Sequence, residues 1–313
     1  MRSTEDGAMM RVARLAPLLL LPLMTPAAAA PVVDIAYGAY QTGHYRRAQA
    51  EALKRIEANN NDAAAMTLLG ELYRQGFGIP ADQKVATEWY EQAAARGDIN
   101  ATFALAMQLL DEKSSRRDPA RAGVLLEKAA AAGHPQASYN LALALLATGR
   151  PEDDKRAVSY LDIAAKAMIG EAMYALGTLA RQGRGMQESE EAAAGWMKRA
   201  AEAGNAAGQV EYAIMLFNGT GVAKDEAAAG KLFLRAAGQG NAIAQNRLAK
   251  LYQFGLGLPP DRIEAAAWHL VARAQGLEDA SLDGLFDRLN PEQQARAGRI
   301  AASRISTAVL TSP

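Results

Sequence analysis

The 313-residue sequence has no cysteine, so no disulfide, thiol nucleophile or thiolate metal site can be built from it. It has three histidines, His44, His134 and His269, and no two stand at a metal-ligand spacing such as His-x-x-x-His. It lacks net charge, because 34 basic residues are matched by 34 acidic ones. Nucleic-acid binding normally requires a basic face, so that partner class is not expected. There is no Gly-x-Ser-x-Gly elbow to present a nucleophilic serine. Gly-x-Gly loops begin at Gly76, Gly183, Gly219 and Gly255, but each follows a predicted helix. None has the preceding strand or the third glycine of a dinucleotide fingerprint. The acidic clusters Asp153-Asp154 and Glu188 to Glu191 read as helix-start charges favoured by the helix dipole, with no further ligands converging in sequence. No catalytic residue, metal site or cofactor is expected.

What the sequence has is internal repetition. Residues 63–98 read as two helices separated by a glycine loop and closed by Gly97. The first places Ala65, Leu68, Leu69, Leu72 and Tyr73 at helical spacing around Gly70. A glycine inside a helix costs about 1 kcal/mol relative to alanine, so Gly70 predicts a close helix–helix contact. Asp82 is placed to cap the second helix, which carries Val85, Ala86, Trp89, Tyr90, Ala93 and Ala94. The small residue recurs as Gly70, Ala106, Ala142, Gly177, Ala213 and Ala249. The Ala-Ala pair of the second helix recurs at Ala93, Ala129, Ala164, Ala200 and Ala236, and becomes Ala272-Arg273 in the last copy. Four residues before it stand Trp89, Leu125, Tyr160, Trp196, Leu232 and Trp268, a position expected to be buried. One hairpin cannot cover both of its faces, so the copies must stack.

The phrase A-x-x-x-L-G-x-L-Y-x-x-G-x-G, followed by D-x-x-x-A-x-x-W-Y-x-x-A-A-x-x-G, resembles the Sel1-like repeat, a relative of the tetratricopeptide repeat. Six copies cover residues 63–279. The resemblance implies an all-α fold, a right-handed α-solenoid of stacked hairpins. It also implies a non-enzymatic scaffold that binds another protein or peptide on its concave face. Relatives of this kind include envelope-signalling inhibitors and cofactors of polysaccharide secretion or envelope assembly. Some cysteine-rich members are associated with β-lactam binding or hydrolysis, but those rest on a disulfide in each repeat, which this chain cannot form. A cell-wall or β-lactam hydrolase is therefore a minor alternative. So is a carbohydrate-binding module stacking sugars on Trp89, Trp196 and Trp268. Departures from the pattern are local. The second copy has Glu112-Lys113-Ser114-Ser115 in place of the glycine loop. The third drops a residue near Gly149-Arg150-Pro151 and has Met168 where a closing glycine is expected, so an altered bend is expected there.

Outside the repeats, residues 1–30 read as a secretory signal. Arg11 and Arg14 precede a short apolar run over residues 15–24, and Ala27 to Ala30 offer a cleavage site. Pro17 and Pro22 interrupt the run, which is shorter than the roughly 20 residues of a membrane-spanning helix. A periplasmic or secreted protein without stable membrane insertion is expected. Residues 31–62 read as a divergent N-terminal cap unit, with Tyr45, Ala48, Ala52, Leu53 and Ile56 lining its second helix. Residues 280–313 read as C-terminal capping helices, with a frayed tail from Thr307.

By resemblance to tetratricopeptide solenoids, first helices line the concave surface. Ligand contacts come from positions three before, one after and four after the small residue. Those positions select Arg74, Phe103, Met107, Tyr139, Leu143, Tyr174, Thr178, Arg181, Ile214 and Phe217 as partner-binding residues. The middle copies are apolar there, predicting a groove for an extended peptide or amphipathic helix, with Arg74 and Arg181 available to an acidic group. The competing expectation is that Phe103, Tyr139 and Tyr174 simply pack between helices.

Overall fold

The computed structural model describes residues 34–112 and 116–311, with side chains through residue 306. Residues 1–30, read above as a secretory signal, and loop residues Lys113, Ser114 and Ser115 lie outside the described residues. The described chain holds sixteen helices and no strand. A first pair is α1 (Ile35–Gln41) and α2 (Tyr45–Ala58). Six hairpins follow. They are α3 (Ala63–Gln75) with α4 (Gln83–Ala95), α5 (Ile99–Leu110) with α6 (Pro119–Ala131), and α7 (Pro135–Ala147) with α8 (Pro151–Lys166). Next come α9 (Gly170–Gln182) with α10 (Glu190–Glu202), α11 (Ala206–Asn218) with α12 (Glu226–Gly238), and α13 (Ala242–Phe254) with α14 (Arg262–Ala274). The chain closes with α15 (Ala280–Asp287) and α16 (Pro291–Thr311), so helix continues past the point where a tail was expected.

From α1 to α14 each helix packs chiefly on its neighbours in sequence, and α16 returns to lie on α14. This is the stacked-hairpin architecture of a solenoid. α3 also approaches α5, and α9 approaches α11, whereas no two neighbouring second helices meet comparably among the described residues. In these two places successive first helices approach each other more closely than the second helices do.

In the hairpins that carry glycine there, the small residue of the first helix faces a large buried residue of the second. A Cβ added at Gly70 would lie 2.6 Å from Tyr90 Cε1, and one at Gly177 would lie 2.9 Å from Met197 Cε. The buried series is Tyr90, Leu126, Leu161, Met197, Phe233 and His269. This corrects the sequence reading, because the series begins one residue after the expected Trp89 position. Trp89 and Trp196 are only half-buried, and Arg199 lies 4.2 Å over the Trp196 ring; Trp268 is buried. Leu53 is likewise exposed rather than packed.

Helix starts follow local chemistry. Asp82 accepts from the Lys84 and Val85 amides, and Asp118 accepts from the Arg121 amide ahead of Pro119. Asn290 and Gln293 cap each other reciprocally, at 2.9 and 3.1 Å. At Asp261 a capping box is only half made: Asp261 accepts from the Glu264 amide, but the Glu264 carboxylate goes to Arg304 at 2.8 Å.

The inter-helix loops join one repeat to the one before. A Cβ on Gly185 would sit 2.5 Å from the Asp154 carbonyl oxygen at the start of α8, and Gly185 has φ +69°. Only glycine meets both demands. Asp154 completes this joint by pairing with Arg184 through Arg184 Nε at 3.0 Å. At the third copy the missing loop residue coincides with an earlier helix start, so α8 has 16 residues where the second helices on either side, α6 and α10, have 13. Asp153 is buried there and bonded to Thr148, Arg150 and Arg156. The Thr148 hydroxyl, aided by Arg150, holds its carboxyl below the usual carboxylate range.

Candidate partner-binding face

The selected residues lie on the first helices α3, α5, α7, α9 and α11. Met107 and Leu143 occupy the same position in adjacent repeats and are 39% and 42% exposed, which is high for large apolar side chains. Phe103, Tyr139 and Tyr174 are half-buried and pack against the core. Phe103 stacks on His134 with centroids 4.5 Å apart, while His134 Nδ1 caps α7 by accepting from the Ala137 amide at 3.1 Å. Burial lowers the His134 pKa and keeps the ring neutral for this acceptor role. Burial also raises the Tyr139 phenol, with Glu171 adding to the shift. Thr178 donates to the Tyr174 carbonyl at 3.1 Å. Ile214 and Phe217 are half-buried, with Lys224 Nζ 5.7 Å from the Phe217 ring centre.

The two arginines are already engaged. Arg74 makes a two-point contact with Glu71 at 3.0 and 2.6 Å, and Tyr90 donates to the same carboxylate at 2.9 Å. Burial would raise the Glu71 pKa, but hydrogen bonds from Arg74, Gln75 and Tyr90 outweigh it and hold the group ionised. Arg181 pairs with Glu211 at 3.0 Å. Neither guanidinium is thus an unpaired charge awaiting an acidic ligand. The selected positions of α5 and α7 are apolar or aromatic, and the two selected arginines are paired within the protein.

At the C-terminal end the equivalent positions are consumed by the cap. Asn246 and Lys250 both bind Asp279, at 3.0 and 2.7 Å, and Lys250 leads the contacts that hold the Asp279 carboxyl far below its usual range. Arg304 of α16 lies 3.9 Å over the Trp268 ring. The sequence pattern did not reveal this packing, because α16 has no counterpart among the repeats. Among the described residues, no three His, Asp or Glu side chains form a group suited to a metal, and no helix is long and apolar enough to cross a membrane.

Sel1 repeat matches fall on residues 63–98, 99–134, 135–167, 170–205, 206–241 and 242–277. The chain belongs to the Sel1 repeat family. Sel1 repeat proteins are generally protein-interaction scaffolds, and most are adaptors without catalysis. The third match ends at residue 167, just before the aberrant Met168. Among solved structures, c5321, a protective antigen present in uropathogenic Escherichia coli strains, is similar at a TM-score of 0.71 and 24% identity. That alignment covers 89% of this chain but 64% of c5321, so this chain spans under two thirds of that protein. A Sel1 repeat protein from Oxalobacter formigenes aligns at a TM-score of 0.63 and 28% identity, covering 81% of this chain and 74% of its own. No curated protein matches the sequence.

Proposed function

We propose that this Sel1 repeat protein is a non-enzymatic adaptor that captures a polypeptide on the inner face of its middle repeats. One observation carries the reading: Met107 and Leu143 stand exposed at the same position of successive first helices, which also carry the half-buried rings of Phe103 and Tyr139. An amphipathic helix or an extended segment can lay apolar side chains along such a row. Because Arg74 and Arg181 are paired internally, the segment is recognised through apolar rather than acidic side chains.

The site of action we propose is the periplasm or cell exterior, on the strength of the charged, apolar and small-residue segments in residues 1–30. A role in envelope signalling or assembly is compatible with that compartment. Export is tested by fusing residues 1–30 to a reporter active only outside the cytoplasm; an inactive fusion rejects it.

The capture reading is tested with a photo-crosslinking residue at Leu143, or at Val124 on the second helix α6, where an equally apolar side chain is exposed. Crosslinking in extract from the Leu143 site alone supports the inner face. Equal labelling from both sites removes it. So does unchanged capture by a folded Tyr139→Ala, Tyr174→Ala double variant.

A further inference from the structure

A cavity of about 340 Å³ opens where the end of α13 and the start of α14 meet the cap helix α15. Its lining combines Gln253, Phe254, Arg262, Leu285, Arg288 and Leu289. We propose that it binds the C-terminal end of a polypeptide, reading a free carboxylate and an apolar last side chain.

Three features point to that chemistry together. Arg262 and Arg288 are exposed, and neither meets an acidic partner among the described residues, unlike Arg74, Arg181, Arg184 and Arg304. Two unpaired guanidiniums on one small cavity favour a planar carboxylate. Leu285 and Leu289 are 3% and 6% exposed and form an apolar floor, beside Phe254, which is 63% exposed. A large aromatic side chain left in solvent next to a cavity gains by being covered. Finally, Gln253 Oε1 is buried and has no donor. Asn246 and Lys250, the two matching positions of this repeat, are spent on Asp279, so Gln253 alone remains unanswered.

The three demands select among ligands. A fatty acid offers a carboxylate and an apolar chain but no N–H for Gln253. A phosphate offers charge alone. The last residue of a peptide offers a carboxylate, a side chain and an amide N–H within one unit. The volume lies at the small end of ligand pockets, about 300–1,000 Å³, which suits a terminus rather than a whole segment. None of the six lining residues belongs to the inner apolar row, so this site holds whether or not that row captures a partner.

The test uses the full chain and fluorescence anisotropy of a labelled tetrapeptide ending in leucine. Probes are the free acid and the C-terminal amide, with octanoate as competitor. The free acid is expected to bind at least about tenfold more tightly than the amide. The double variant Arg262→Gln, Arg288→Gln is expected to lose at least about tenfold, with an unchanged melting curve because both side chains are exposed. Gln253→Met should weaken the peptide without altering octanoate. Leu143→Asp should leave the probe unaffected, and a loss there would assign the binding to the inner row instead. Equal binding of acid and amide, octanoate outcompeting the peptide, or no binding at millimolar probe would each overturn the proposal.

Discussion

The ring of Tyr90 lies so close over Gly70 that a Cβ there would stand 2.6 Å from Cε1 and 2.7 Å from Cδ1, while the Tyr90 hydroxyl is anchored to Glu71 at 2.9 Å. The ring therefore cannot swing away cheaply. Gly70→Ala gains about 1 kcal/mol of helix propensity but incurs an overpacking cost of about 1–3 kcal/mol. Urea denaturation should show a net loss of about 1 kcal/mol. Two of the four repeats with alanine at this position carry leucine at the matching site, Ala106 with Leu126 and Ala142 with Leu161. Adding Tyr90→Leu to Gly70→Ala should therefore recover part of the loss, and a strictly additive double variant would show that the two sites are not coupled.

Met168 has φ +63°, in the region occupied at the equivalent place by Gly97, Gly133, Gly204, Gly240 and Gly276. A side chain in that conformation costs about 1–2 kcal/mol. Glycine removes the strain but gives back about 0.4–1 kcal/mol through the greater freedom of the unfolded chain. Met168 is exposed, so no packing is lost. Met168→Gly should raise stability by about 0.5–1 kcal/mol in the same denaturation assay, and a destabilised variant would contradict the strain argument.

His269 fills the site held elsewhere by Leu126, Leu161 and Phe233. Asp283 Oδ1 approaches Nε2 at 3.3 Å without hydrogen-bond geometry, and neither ring nitrogen has a hydrogen-bond partner among the described residues. Burial lowers the pKa, and Arg273 adds to this, against opposition from Asp283 and Asp279. The folded protein thus binds this proton less readily than the unfolded chain, whose histidine titrates near pH 6.5. The neutral ring's contribution is complete above about pH 6.5 and is lost as pH falls below it. His269→Leu should flatten the decline in melting temperature between about pH 7 and 5. His134 is also lowered by burial and is unchanged in that variant, so the difference between the two curves reports His269 alone. Identical curves would rule this role out.

The repeat unit was legible because one chemical demand recurs six times: a small residue facing a large one at fixed spacing. Family and fold followed from that. The error of one residue in the buried series arose because tryptophan draws the eye, yet Trp89 and Trp196 ride half-buried beside the tyrosine and methionine that fill the core. The inner row could be chosen by spacing, but the state of its charges could not. Arg74 with Glu71 is a pair three residues apart on one helix, whereas Arg181 finds Glu211 thirty residues away on the next first helix. The cap was least legible. Arg304 reaches Trp268 and Glu264 from outside the repeated register, where no sibling sequence exists to compare.

Helices that lean chiefly on their sequence neighbours leave no direct contact by which one end of the stack can sense the other. Loosening is then graded rather than all at once, peeling inward a hairpin at a time. The two ends are not equal in this. α16, lying back across α14, seals one end with 21 residues, while the short α1 closes the other with 7. Amide exchange should accordingly run fastest at the N-terminal pair, and the erosion of this protein should have a direction.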